Sequence, residues 1–321
     1  MKLFVGVTDY QWYEALSWRT DLTEVNFWSP GGKSFKVLSP GELFLFKLKA
    51  DHGHVVVGGG IFGHDTRLPL SLAWDAFGRS NGADSMTEMI NRIRKYQSAD
   101  ARTKSDPVIG CRLVQSPFFL SKAEWFRVPE TFPVNAVSGK SYSSEEAEGT
   151  YLFDAIKDRL TSAQTGFMDR SPPTNGWEPQ EHRRGTPQMV LPRLGQGTFR
   201  VAVMDGYGRR CAVTGERTLP ILDAAHIKPW SQGGEHSPGN GILLRTDIHR
   251  LFDLGYVTID ESHRFDVSPK LKEDYENGRH YYALRGQKVR LPDNDAFMPT
   301  PAALQWHHEN RWAKPGSLLV E

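Results

Sequence analysis

Leu222–Asp253 reads LDAAHIKPWSQGGEHSPGNGILLRTDIHRLFD, and three of its residues, His226, Asn240 and His249, organise the reading of the chain. A strand-like run from Thr218 to Ala225 ends at His226. A polar, glycine-rich loop follows from Ser231 to Gly239, then a short apolar run, Gly241–Leu244, and then a helix-like segment with His249 near its start.

In order, spacing and flanking pattern this stretch resembles the HNH nuclease motif, the ββα-metal fold. The carriers are Cys211-Ala212-Val213-Thr214-Gly215, then AAHIKPW, NGILL and HRLFD. The resemblance implies phosphodiester cleavage, which needs a base to deprotonate water and a cation to stabilise the charge on phosphorus and the leaving oxygen. A neutral imidazole suits the base near pH 7, and the resemblance gives that role to His226. It gives Asn240 the tethering of the loop and His249 a divalent cation, expected to be Mg²⁺ or Mn²⁺.

One departure stands out. Many members carry Asp, Glu or His directly before the base as a second metal ligand, and here that place holds Ala225. Side chains alternate along a strand, so Asp223 shares the face of residue 225 and is the expected second ligand. Asp253, one helical turn beyond His249, is the alternative, and Asp223 as a turn cap or a partner of an arginine is the competing reading. Many relatives also carry paired CxxC motifs for a structural zinc; with only Cys111 and Cys211 in the chain, no structural zinc and no disulfide framework are expected.

Lys plus Arg (39) nearly balances Asp plus Glu (38), so overall charge says nothing of nucleic acid. Its distribution says more. Between His182 and Cys211 lie Arg183, Arg184, Arg193, Arg200, Arg209 and Arg210 against the single acid Asp205. With Lys228, the residues Arg193, Arg200, Arg209 and Arg210 are the expected phosphate contacts. No apolar run approaches the roughly 20 residues of a membrane span. The start, MKLFVGVTDYQWYEAL, reads as a strand and not a signal peptide, and with two cysteines far apart in the chain a cytoplasmic protein is expected.

The first half alternates short apolar runs with turns. Strands are predicted at Lys2–Thr8, Glu24–Trp28, Phe35–Leu38, Leu43–Leu48, Val55–Phe62, Val108–Val114 and Pro117–Phe119, with helices at Tyr10–Trp18 (capped by Asp9), Leu70–Phe77 and from Ser85 to Tyr96. KLFVGVT, the NFW segment, SPGELFLFKLK and VVVGGGIF resemble the EVE and PUA-like superfamily, kin of the ASCH and YTH folds, over roughly residues 1–140. The resemblance implies a mixed β-barrel with helices, and an aromatic pocket for a flipped base. Asn26, Phe27 and Trp28, with Trp74 as a second wall, are the candidate pocket residues, Asn26 reading a Watson–Crick edge. Joined to the second half, the chain resembles the EVE–HNH endonucleases, modification-dependent restriction enzymes of bacteria.

The expectation is therefore an α+β chain: a PUA-like barrel over 1–160, a proline-rich linker over 161–190, and a ββα-metal nuclease over 191–321. In that nuclease, Gly197–Met204 and Lys270–Gly278 read as helices, Tyr281–Leu284 with Val289–Leu291 as a hairpin, and His307 and His308 as a surface pair. The expected substrate is double-stranded DNA carrying 5-methylcytosine or 5-hydroxymethylcytosine, cut by a homodimer. The alternatives are a nuclease without that selectivity and a non-catalytic reader.

Overall fold

A computed structural model describes residues 1–31, 34–98, 102–168 and 195–312, with side chains of 161–168 left aside. Contacts divide the chain into two compact units, Met1–Pro192 and Arg193–Glu321.

The first unit is built on a seven-stranded mixed sheet of β1 (Lys2–Thr8), β2 (Glu24–Ser29), β3 (Leu43–Leu48), β4 (Val55–Pro69), β5 (Val108–Phe119), β6 (Phe126–Arg127) and β7 (Gly139–Ser143). The strand order is β2-β5-β4-β3-β1-β7, with β6 also pairing β4. The sheet therefore ends at β2 and β7 and stays open, which corrects the expected closed barrel. β1 runs parallel to β3 and antiparallel to β7, and the other pairings are antiparallel.

Alternation explains why β1 and β3 are apolar over most of their length. Phe4, Phe44 and Phe46 enter an aromatic core with Trp12, Tyr13 and Phe27, whereas Leu3, Val5, Leu43 and Leu45 enter a second core with Leu152 and Ile156. The Tyr10–Ser17 helix, capped by Asp9 Oδ1 accepting from the Trp12 amide at 2.8 Å, covers the first face. The Ala147–Met168 helix supplies Leu152 and Ile156 to the second. That helix runs past residue 160 and so takes in the start of the expected linker; residues 169–190 lie outside the described residues.

The glycines of β4 permit backbone crowding. A Cβ on Gly60 would stand 2.7 Å from the Gln115 carbonyl oxygen, and the β4–β5 register slips between Gly59 and Ile61. The expected strand at Phe35–Leu38 is irregular instead. The Phe35 amide donates to Asp65 Oδ2 (2.7 Å) and its ring packs edge-on against Phe4 (4.8 Å), so the segment plugs the core and adds no strand.

In the second unit, β8 (Leu222–His226) and β9 (Gly241–Arg245) pair antiparallel and lead into the Thr246–Asp253 helix. The Gln196–Gly206 helix buries Phe199, Val201, Ala202, Val203 and Met204. Buried Cys211 is a free thiol whose Sγ accepts from the Arg245 amide at 3.3 Å. β10 (Val257–Ile259) pairs with β11 (Phe265–Val267). The expected hairpin at 281–291 does not form. Arg279–Tyr282 is helical, and the turn after it docks on β11, with Phe265 N donating to Gln287 O and Gly286 N to Phe265 O.

His307 is buried, not a surface residue. It is 1% exposed, stacks on Phe252 with ring centroids 3.6 Å apart, and lies 2.9 Å from both Thr258 Oγ1 and Phe252 O. The Phe252 carbonyl can only accept, so Nε2 carries the proton and Nδ1 accepts from the threonine. Burial pushes the imidazole down to about 4. The unfolded chain thus binds a proton that the folded chain refuses between pH 6.5 and about 4. Stability is fully present above pH 6.5 and falls through that window, by about 3 kcal/mol in total. Amide exchange over 250–260 against pH checks this: a His307→Asn chain is expected to show a flatter acid limb, and identical limbs would exclude His307 as the cause.

Candidate functional site

β8 places Asp223 near its start, opposite Leu244, and His226 at its end, and β9 leads directly to the helix that presents His249. The register sets His226 opposite Gly241, next to Asn240. Asn240 is 7% exposed and spends its whole amide on the loop. Its Oδ1 accepts from the Lys228 amide, and its Nδ2 donates to the carbonyls of Lys228 and Glu235, all at 2.9 Å. The loop is tight enough that a Cβ on Gly234 would lie 1.9 Å from the Lys228 carbonyl oxygen. One buried side chain thus clamps the two ends of the loop that begins beside His226.

His226 is half-buried. Its ring lies flat on Phe199, centroids 3.9 Å apart, and its Nε2 stands 3.0 Å from His236 Nδ1. Desolvation first, then the neighbouring His236 and His249, push its pKa down to about 4, so the ring is neutral near pH 7. His236 in turn stacks on Trp230 (4.6 Å), which is 51% exposed. Sequence reasoning missed His236 and Phe199. The only trace of the first was a histidine inside the loop that Asn240 closes; Phe199 looked like any core residue of an amphipathic helix.

His249 lies between two carboxylates. Asp223 Oδ2 is 3.4 Å from its Nδ1, and Asp253 Oδ2 is 3.4 Å from its Nε2. The strand alternation that singled out Asp223 and the helical turn that offered Asp253 therefore both lead to the same imidazole. Burial raises the Asp253 pKa, a rise tempered by His249 and Arg311. Among the described residues no three His, Cys, Asp or Glu side chains converge as a metal site. Asp223 and His249 nevertheless fit a divalent cation. An oxygen and a nitrogen 3.4 Å apart suit two ligands of one ion, whose other positions fall to water and phosphate oxygens.

The expected phosphate contacts are less uniform. Arg209 is held by Asp205 at 3.1 Å. Arg200 and Arg210 are half-buried. Lys228 is anchored through its backbone by Asn240, with its Nζ 5.9 Å from the Trp306 ring centroid. Arg193 lies outside the described residues.

The first unit holds a cleft of about 800 Å³ whose walls include Trp12, Phe27, Trp28, Lys47, Lys49 and Arg112. Trp28 is fixed by its Nε1–H donating to Asn81 O (3.0 Å), and Asn81 is fixed by Asn26 Nδ2 donating to its Oδ1 (2.8 Å). Asn26 is 0% exposed and also touches Cys111 Sγ, so it stands behind the wall and braces it. Trp74, on the Leu70–Phe77 helix, does not line the cleft. Lys47 is 1% exposed, donates to Leu48 O at 2.7 Å and lies 5.0 Å from the Phe132 ring centroid; burial lowers its pKa. Lys49 sits over the Tyr96 ring at 4.3 Å. The cleft is thus lined by aromatic rings and by three basic side chains, with the acid Asp9 also in its wall.

Residues 211–260 match the HNH endonuclease family model. Among curated proteins no match is found. Among solved structures, a modification-dependent TagI restriction endonuclease is similar at 19% identity and a TM-score of 0.24, over 35% of this chain and 36% of that one. Among the described residues no helix is long and apolar enough to cross a membrane.

Proposed function

We propose that this chain, whose segment 211–260 is an HNH endonuclease domain, is a metal-dependent DNA endonuclease directed to DNA carrying modified cytosine. The observation that carries the nuclease reading is the His226–Asn240–His249 arrangement: a neutral imidazole at a strand end, a loop clamped beside it, and a helix histidine flanked by carboxylates.

In the proposed mechanism His226 takes the proton from the attacking water. Phe199 holds the ring flat and keeps it dry, and Asn240 holds the loop that flanks it. Asp223 and His249 would hold the cation, with Mg²⁺ or Mn²⁺ the expected ions. When bound, the cation supplies Lewis-acid stabilisation of the charge that develops on the phosphate.

Selectivity is assigned to the cleft of the first unit. A base must leave the stack before its 5-substituent can be read, at a cost of about a few kcal/mol. Stacking on an aromatic wall offsets that by about 1–3 kcal/mol, and Trp28 is the wall oriented for it. Lys47, Lys49 and Arg112 would meet base carbonyls or phosphate oxygens. A double-strand cut takes two active sites, so two copies are proposed to act together. Ala225, in the place of a usual metal ligand, favours the second reading, a reader of modified DNA that does not cut.

Digestion of three matched plasmids, unmodified, 5-methylcytosine and 5-hydroxymethylcytosine, tests the proposal in Mg²⁺ and in Mn²⁺. Cutting confined to modified DNA is expected. Equal cutting of all three would discard the selectivity, and binding without cutting under either ion would favour the reader. On the same panel Trp28→Ala is expected to lower the preference for modified DNA about 5- to 100-fold, the loss of one stacked base. An unchanged preference would take Trp28 out of the recognition surface.

A further inference from the structure

Resting on that nuclease reading, we propose that His236 is a positioning residue that fixes the tautomer of His226. The loop from Pro229 to Asn240 folds back so that His236 Nδ1 reaches His226 Nε2 at 3.0 Å, with the rings at 75°. A contact at that distance between two neutral imidazoles carries one proton, and two arrangements are open. If His236 donates, the only lone pair of His226 is occupied and the ring cannot take a proton from water without breaking the contact. If His226 donates from Nε2, His236 accepts at Nδ1, and the lone pair of His226 Nδ1 is left for the proton. Only the second arrangement makes His226 a base.

The surroundings hold His236 in place for that task. Its ring stacks on Trp230 at 4.6 Å, and its backbone follows Glu235, whose carbonyl accepts from Asn240 Nδ2 at 2.9 Å. When His226 gains a proton at Nδ1, its Nε2–H becomes an imidazolium donor and the bond to neutral His236 strengthens. His236 therefore also stabilises the product of the proton transfer. The work of Asn240 gains a second meaning: by fixing the loop it sets the acceptor of the base.

The tautomer can be read without any cleavage. In full-length protein with ¹⁵N-labelled histidine at neutral pH, the resonances absent from His226→Ala identify His226. The expected result is a protonated Nε2 and a bare Nδ1; a protonated Nδ1 would overturn the proposal. In His236→Ala the Nε2–H preference is expected to weaken, and in His236→Asn, whose side-chain oxygen takes the place of Nδ1, to return. In cleavage, His236→Ala is expected to lower kcat about 10- to 100-fold, a fraction of the effect of the base itself, with KM little changed. His236→Asn should recover most of that loss. Equal losses in the two variants would reduce His236 to loop packing. If the wild-type chain cuts no DNA, the nuclease reading fails while the nitrogen spectrum still decides the tautomer.

Discussion

His226→Ala is expected to lower the rate of phosphodiester cleavage about 10²- to 10⁴-fold, the range of a positioned general base, and to leave DNA affinity nearly unchanged. The ring is neutral near pH 7 because burial against Phe199 holds its pKa down at about 4, so it is ready to accept a proton without prior ionisation. Removing it leaves the Asp223–His249 pair in place, since neither residue depends on the His226 ring for its contacts. Single-turnover cleavage with a matched binding isotherm checks both halves of the statement. A loss of binding as large as the loss of rate would mean that His226 holds the fold or the DNA and does not serve as the base.

Asn240→Ala is expected to destabilise the second unit by about 2–4 kcal/mol and to depress cleavage with it. Three hydrogen bonds at 2.9 Å end on this one buried amide, and their loss leaves the Lys228 amide and the carbonyls of Lys228 and Glu235 without that partner. Each net bond contributes about 1 kcal/mol, with an added cost for groups left buried and unpaired. Asn240→Asp keeps the acceptor for the Lys228 amide but turns a buried carboxylate oxygen on two carbonyls, so a loss at least as large as that of Asn240→Ala is expected. Denaturant unfolding of the three chains gives the order directly, and a loss below about 1 kcal/mol in Asn240→Ala would mean that the loop is held by something other than this amide.

The second unit was the more legible half because its chemistry is local. His226, Asn240 and His249 lie within one short stretch, and the strand and helix periods of that stretch set their directions. Asp223 was reachable by strand alternation alone, and Asp253 by one helical turn. His236 was not, because a loop has no period, and only the clamp by Asn240 turns it toward His226. The first unit yielded its strands but not its closure. Alternation in β1 and β3 says that both faces are buried; it does not say whether β2 and β7 meet. Asn26 stands behind the cleft wall for a related reason. A polar residue between aromatic neighbours suggests a ligand contact, yet its Nδ2 is taken up by Asn81 and Cys111. The 281–291 hairpin failed because the turn at Gly286 finds its backbone partners on β11 and not within the segment.

The place of β1 in its sheet has a consequence for the order in which the protein is built. Its neighbours are β3 and β7, and Lys2 pairs with Ser143 across most of the unit's length. During synthesis the first strand of this unit therefore waits for one of its last to gain its second partner, and the aliphatic core, which takes Tyr142, Leu152 and Ile156, waits with it. Closing so long a segment carries an entropic cost before any pairing rewards it. In the second unit β8 pairs with β9 across one short loop, so that pair meets no such delay. Nascent chains stalled before residue 143 would present the unfinished edge of β1 to chaperones.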